Sequence, residues 1–408
     1  MLARVLAASK RAPRQRALLL FPRMEDVYLD NAATSHPKPP SVRAAMLRFM
    51  DEVHASAGRG AYAEARAAGL LLDQVRLSLA TLLEVSAPER ILFTLNCSDA
   101  LNLGLKGLLR PGDRVVTSVM EHNSILRPLA ALEERLGISV VRVPADAEGL
   151  VSMPALAAAL REPTRLVALQ HASNVSGTLQ PVAEAAQLAR AAGAFMLVDA
   201  AQTLGSVPLA PEALGIDLLA FPGHKSLLGP LGTGALWVSP RVDLATVREG
   251  GTGSRSEEAV QPFLWPDRHE AGSHNLVGLA GLGAGVDWIL QRGVEELTAA
   301  KRVLMLRLLD HLAGLEGVRL HGPARADGRV GVFSCTVGRH MPEPAGRLLD
   351  DLHGVKVRSG LHCAPFAHQA LGTFPAGTVR LSIGPFTTAA ELDHAARALA
   401  DVASRPAS

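Results

Sequence analysis

From about residue 90 onward, short apolar runs alternate with longer stretches whose apolar positions recur at helical spacing. The runs 91–94, 114–119, 140–144, 166–170, 195–198, 218–221 and 235–238 read as strands. Between them 123–136, 153–161 and 182–192 read as helices. Start signals support this: Ser98 precedes Asp99, Ser152 precedes Met153, and Pro181 opens a first turn. Strands that are apolar throughout and alternate with helices predict an α/β fold, with a mostly parallel sheet covered on both faces. In such a sheet ligands bind at the carboxyl ends of the strands. Polar residues cluster at those ends here.

The pattern changes near residue 270. Helices are expected over 275–292 and 295–312, strands over 331–337, 355–358 and 379–383, and a last helix from Ala389. This predicts a large domain over 24–270, with its N-terminal segment near a smaller α+β domain over 271–408. The first 23 residues differ from both, with six basic residues and no acidic one. We read them as a disordered extension, or as a start placed too early with Met24 the natural beginning, rather than as a targeting segment.

Composition narrows the function classes. Of 408 residues 48% are hydrophobic, and Lys+Arg 41 against Asp+Glu 39 gives a formal net charge of +2. That balance points to neither nucleic acid nor a membrane surface as partner. No apolar run approaches the roughly 20 residues of a membrane span. Cys97, Cys335 and Cys363 lie far apart, which suits a reducing cytoplasm and argues against a disulfide framework or a structural zinc site.

The chemistry centres on 218-LLAFPGHKSLLGPLGTGALWV-238. Lys225 follows a buried strand and a Pro–Gly turn, where desolvation would lower its pKa and make it a nucleophile toward carbonyls. PGHKS lacks the glycine a P-loop places directly before its lysine, and no G-x-G-x-x-G opens a helix. A carbonyl cofactor such as pyridoxal phosphate, held by Lys225, needs three further groups. Asp199 after an apolar strand suits a pyridine nitrogen, the TLNCSDALNLGL turn suits a phosphate, and His122 in EHNS suits a stacked ring. Singly, each of these residues could equally be a cap or a structural residue. Together they recur at successive strand ends.

These segments resemble a known family. YLDNAATSHPKPP, EHNSILRPL, QHASNVSGTLQP, LVDAAQTLG, FPGHKSLLGPLGTG and VRSGLHCAP look like the aminotransferase class V family of pyridoxal-phosphate enzymes. Within it they resemble the cysteine desulfurase and selenocysteine lyase group, in a branch that also carries EGGTGSRSE. The resemblance runs from about Val27 to the end. It implies fold type I, with a seven-stranded, mostly parallel sheet, a smaller C-terminal domain and a homodimer. By position, Lys225 would bind the cofactor covalently, His122 stack on its ring and Asp199 pair with the ring nitrogen. Asn174 and Gln202 would approach its phenolic oxygen. Cys97, Ser98 and His224 would hold the phosphate, with Thr252 reaching in from a second subunit. Arg380, with Arg358 and Asn174, would bind the substrate, since a guanidinium matches a carboxylate in a two-point fork. Pro222 departs from the pattern, because many relatives place a phosphate-binding serine there.

Cys363 separates the family's activities. Desulfurases present a cysteine on this loop, and Arg358 and His362 are expected to favour its thiolate. Cys335 fits a buried packing residue. The resemblance therefore implies conversion of L-cysteine to L-alanine, with sulfur taken as a persulfide on Cys363 and His122 as an acid or base. Selenocysteine lyase, transamination or racemisation remain as alternatives on the same site. A sulfur-acceptor protein is a further expected partner.

Overall fold

The computed structural model describes residues 26–58 and 60–406, so the basic segment 1–23 lies outside the described residues. A two-residue strand, β1 (Val27–Tyr28), comes first. Seven strands then form one sheet: β2 (Ile91–Thr94), β3 (Arg114–Ser118), β4 (Ser139–Val143), β5 (Leu166–Gln170), β6 (Phe195–Asp199), β7 (Leu218–Pro222) and β8 (Gly234–Val238). Their order is β2-β8-β7-β6-β5-β3-β4. β4, β3, β5, β6 and β7 pair in parallel, and β8 is antiparallel to both neighbours.

Both faces of its central strands are buried, which is why β2, β5, β6, β7 and β8 are apolar but for a polar residue at the carboxyl end of β2, β5 and β6. Along β5, Leu166 and Ala168 face one core while Val167 and Leu169 face the other. The helices that cover it are α1 (Pro40–Arg48), α2 (Ala63–Leu83), α3 (Cys97–Leu108), α4 (Asn123–Leu136), α5 (Met153–Ala159), α6 (Val182–Ala191), the single turn α7 (Pro211–Leu214) and α8 (Leu276–Arg292). α3 and α4 supply the core on the Leu166 face; α2, α5, α6 and α8 supply the other. Each fully buried Leu, Val or Phe contributes about 1.5–3 kcal/mol before entropy is counted, so these two layers hold the strand ends in register.

β3 connects onward to β4 on one side, whereas β5 pairs with β3 on the other and leads to β6. The crevice between the carboxyl ends of β3 and β5 is thus the topological switch point, where a ligand site is expected.

The rest of the chain forms a second layer. α9 (Val294–Ala313), β9 (Val318–His321), β10 (Val332–Val337), α10 (Pro342–His353), β11 (Val355–Lys356), β12 (Arg358–Gly360), α11 (Pro365–Ala370), β13 (Thr378–Ser382) and α12 (Ala389–Ser404) follow in order. The antiparallel sheet runs β12-β13-β10-β9, while β1 pairs in parallel with β11. Its core gathers Leu308 of α9, Phe333, Leu381 and Leu399 with Val27 and Leu29.

Two expectations shift here. The run 355–358 is two strands in two sheets, because β11 takes β1 as partner and β12 takes β13. The helix α8 was expected in the smaller domain, yet it shares the core of α2 and the large sheet. α8 closes at Gly293, whose φ is 83°; α9 starts against the same core with Val294 and Leu297 and enters the smaller domain's core from Leu304 on.

Candidate active site

Five strand ends converge on one cleft with about 510 Å³ of empty space. β2 and α3 bring Asn96, Cys97 and Ser98; β3 and α4 bring His122 and Ser124. β5 brings Gln170, Ala172 and Asn174; β6 brings Asp199, Ala201 and Gln202; β7 brings Pro222, His224 and Lys225. The residues predicted at separate strand ends are therefore neighbours.

Lys225 is half-buried in a tight bend. The bend needs Gly223, because a Cβ there would sit 2.2 Å from Thr233 Oγ1. Gly223 N–H donates to Thr233 O at 2.8 Å, and Leu228 N–H closes the turn on Lys225 O at 2.9 Å. Desolvation lowers the Lys225 pKa; Asp199 and Cys97 oppose this, and Arg380 and Arg358 add to it. A depressed amine is what carbonyl chemistry requires.

At the other end of the cleft, α3 presents its N-terminus. Asn96 caps it by accepting from Asp99 N–H at 3.0 Å, so the side-chain cap leaves the N–H groups of Cys97 and Ser98 for an anion. Ser98 Oγ lies 2.6 Å from Ser124 Oγ, which lies 2.9 Å from His122 Nδ1. Ser124 N–H donates to the same Nδ1 at 3.0 Å, which leaves the ring proton on Nε2. Burial lowers the His122 pKa to about 4, against the pull of Asp199, so the ring is neutral and flat. His224 is likewise held neutral, at about 4, mainly by burial.

Asp199 is 4% exposed. It accepts from Ala201 N–H at 2.9 Å and from the Cys97 thiol at 3.4 Å. The Cys97 side chain is thus turned to the carboxylate, and only its backbone remains for a phosphate. Burial and Asp199 together push its thiol well above the ordinary value.

A pyridoxal phosphate fits this donor set. A neutral ring, a buried carboxylate, a desolvated amine and a helix N-terminus surround one cleft, while Asn174 Oδ1 and His224 Nδ1 are buried without partners. Each such orphan costs about 1–3 kcal/mol until a polar group meets it. Gln202 lines the cleft with its Nε2 already committed to Ala32 O at 3.2 Å.

Four predicted residues lie outside the cleft lining. Arg380 is 2% exposed, donates to Asn174 O at 3.1 Å and pairs with Asp30 Oδ1 at 3.0 Å. Its Nε is unpartnered. Arg358 is exposed, yet its charge reaches His122 and Lys225. Thr252 bonds Ser254 within its own loop and does not approach this cleft.

Cys363 is exposed on the loop before α11. Its carbonyl accepts from Asn123 N–H at 2.8 Å, directly beside His122, and Asn174 Nδ2 donates to His362 O at 2.7 Å. The loop is pinned to the cleft on both sides of the thiol. His362 and Cys363 both have positive φ, 49° and 59°, a strain of about 1 kcal/mol or more each that often marks functional loops. The expected help from His362 fails: its ring is buried, donates to or accepts from Thr378 Oγ1 at 3.0 Å, and is held at about 2 by burial and by Arg380. It brings no positive charge. Arg380 lies close enough for its own pKa to feel Cys363.

Sequence reasoning overlooked Ser124, Asp30 and Glu121. Glu121 is fully buried, with Ser118 Oγ at 2.5 Å and Gln170 N–H donating at 2.8 Å. The signal was its place beside His122 at a strand end, where a buried acid is costly. Among the described residues no group of three or more His, Cys, Asp or Glu is arranged to hold a metal ion.

Comparisons with known proteins agree with this geometry. A protein of Methanothermobacter thermautotrophicus named as a probable cysteine desulfurase is 36% identical over 385 residues, 93% of this chain and 95% of that one. A cysteine desulfurase of Yersinia pestis is 33% identical over 83% of this chain and 84% of its own. The solved cysteine desulfurase of Thermococcus onnurineus superposes with a TM-score of 0.85 at 31% identity, covering 93% of this chain and 95% of that one. The aminotransferase class-V family model matches residues 27–394, and the chain belongs to that family.

Proposed function

We propose that this protein is a pyridoxal-phosphate-dependent cysteine desulfurase that converts L-cysteine to L-alanine and takes the sulfur as a persulfide on Cys363. The observation that carries the reading is the union of two features. A cleft suited to the cofactor is joined, through Asn123 and Asn174, to a strained loop that holds an exposed thiol.

When bound, pyridoxal phosphate supplies the electron sink that weakens the bonds at the substrate's α-carbon. The N-terminus of α3, Ser98 and His224 would hold its phosphate, Asp199 would keep its ring nitrogen charged, and His122 would offer a neutral face. Lys225, its pKa lowered by burial, is the base for the substrate α-proton. Arg380 would pair with the substrate carboxylate. The Cys363 thiolate then attacks the substrate sulfur. A sulfur–sulfur bond forms, the carbon–sulfur bond breaks, and its electron pair stays with the three-carbon fragment, which is protonated to alanine. Lys225, having taken the α-proton, would return a proton to that fragment, while neutral His122 would steady it with a hydrogen bond from Nε2.

The remaining expectations join the proposal. Exposure of Cys363 leaves the persulfide open to an acceptor protein. Thr252, which does not line its own cleft, would serve a second copy in a homodimer. Three free thiols suit the cytoplasm. Among the described residues no helix is long and apolar enough to cross a membrane.

Incubation of the cofactor-loaded protein with L-cysteine and a thiol reductant tests the reading. Alanine and sulfide should appear in equal amounts. Transamination or racemisation of an amino acid without sulfide release would assign another reaction of the family.

A further inference from the structure

A second, small cavity, with room for no more than an ion or a few waters, adjoins the cleft. Gln202 and Lys225 line both, so these two side chains form the wall between them. The cavity sits where the two layers meet. Asn31 and Ser382 come from the β1 loop and β13, Ser206 from the loop after β6, and Lys301 from α9.

Lys301 sets its character. The lysine stem lies against Gly331, where a Cβ would come within 3.2 Å of Lys301 Cδ. One turn earlier, Thr298 ties α9 to the large sheet by donating to Ser206 O at 3.0 Å. The Lys301 ammonium has no hydrogen-bond or ion-pair partner among the described residues. No Asp or Glu lines the cavity. Burial lowers the lysine to about 8, which leaves it mostly charged at neutral pH. The neighbouring donors are largely spent within the protein. Asn31 Nδ2 donates to Ser382 O, Ser382 Oγ to Leu29 O, and Ser206 Oγ to Thr203 O. What the cavity offers a ligand is uncompensated positive charge and the Ser226 hydroxyl.

A partly buried charge with no partner and no acid beside it draws a counter-ion. We propose that this cavity binds a small inorganic anion, paired with Lys301 and hydrogen-bonded by Ser226. The site is separate from the cofactor's phosphate. Its occupant would place negative charge across the Gln202–Lys225 wall, behind the amine that faces the cleft. The inference does not depend on which amino acid the cleft turns over.

The test is equilibrium dialysis of cofactor-saturated protein at constant ionic strength, against labelled sulfate and, in parallel, labelled chloride. Saturation with cofactor fills the phosphate site, so it cannot supply the signal. One saturable site per chain for at least one of the two ions is expected. Lys301→Met should weaken it about tenfold or more, and Lys301→Arg should keep it. In anion-free buffer Lys301→Met should melt at or above the wild-type temperature, because it removes an unpartnered ammonium. Absence of saturable binding of either ion, equal binding by Lys301→Met, or a clear loss of its stability in anion-free buffer would overturn the site.

Discussion

Three thiols in one chain have different fates because of where each sits. Burial pushes Cys335 up to about 12, and burial with the Asp199 charge pushes Cys97 higher than its ordinary value. Both are held as inert thiols. Cys363 alone is exposed, on a loop whose backbone is held in a left-handed turn. Cys363→Ala should therefore keep its full cofactor content and visible absorption. Its rate of alanine formation from L-cysteine should fall by about 10³-fold or more, since no neighbouring group replaces the nucleophile. Retention of the wild-type rate would make Cys363 a packing residue. Which residues would meet in the cleft was largely legible in the sequence, because strand ends and motif order locate them. Protonation was not. His362 is neutral through tertiary burial, and the partner of Arg380 is Asp30, 350 residues earlier in the chain.

At the scale of elements, the crevice between β3 and β5 is braced by an unspent acid. Burial raises Glu121 from 4.5 to about 8, partly offset by its hydrogen bonds from Ser118 and Gln170. Between those two pH values the folded chain keeps a proton that the unfolded chain releases. Stability should therefore fall as pH rises through that window. Glu121→Gln holds no such proton and keeps an acceptor for Gln170 N–H. Its melting temperature relative to wild type should rise between pH 5 and pH 8; a constant difference would refute the buried acid. A second element-level prediction concerns Gly234, at the start of β8. A Cβ there would lie 2.7 Å from Asn96 C and 3.0 Å from Phe221 O, both backbone atoms. Gly234→Ala should cost about 1–3 kcal/mol and weaken cofactor binding, because Asn96 caps the helix that receives the phosphate. Thermal melts and a cofactor titration would check both effects. The large-sheet strands were legible because each carries a short, mostly apolar run. β11 and β12 were not, since adjacent residues choose different partners and pattern alone cannot divide them. The helix α8 was misplaced because an apolar helix looks the same whichever core it enters.

For the whole molecule, the two layers meet over the reactive groups. Arg380 on β13 reaches Asn174 after β5, and β1 fastens the start of the described chain to β11. The GGTGS loop does not line its own chain's cleft, and Pro222 offers no donor there. If two copies share the site as proposed, Thr252→Ala should retain less cofactor while sedimenting as the wild type does. A wild-type monomer with full cofactor occupancy would contradict the shared site. The central claim, sulfur transfer to a loop cysteine, is met most directly by treating the cofactor-loaded protein with L-cysteine, alkylating it, and locating the extra sulfur by mass spectrometry. The account predicts a persulfide on Cys363, formed together with one equivalent of alanine, and none on Cys97 or Cys335. Alanine formed without a persulfide on Cys363, or with the sulfur on either buried thiol, would contradict it.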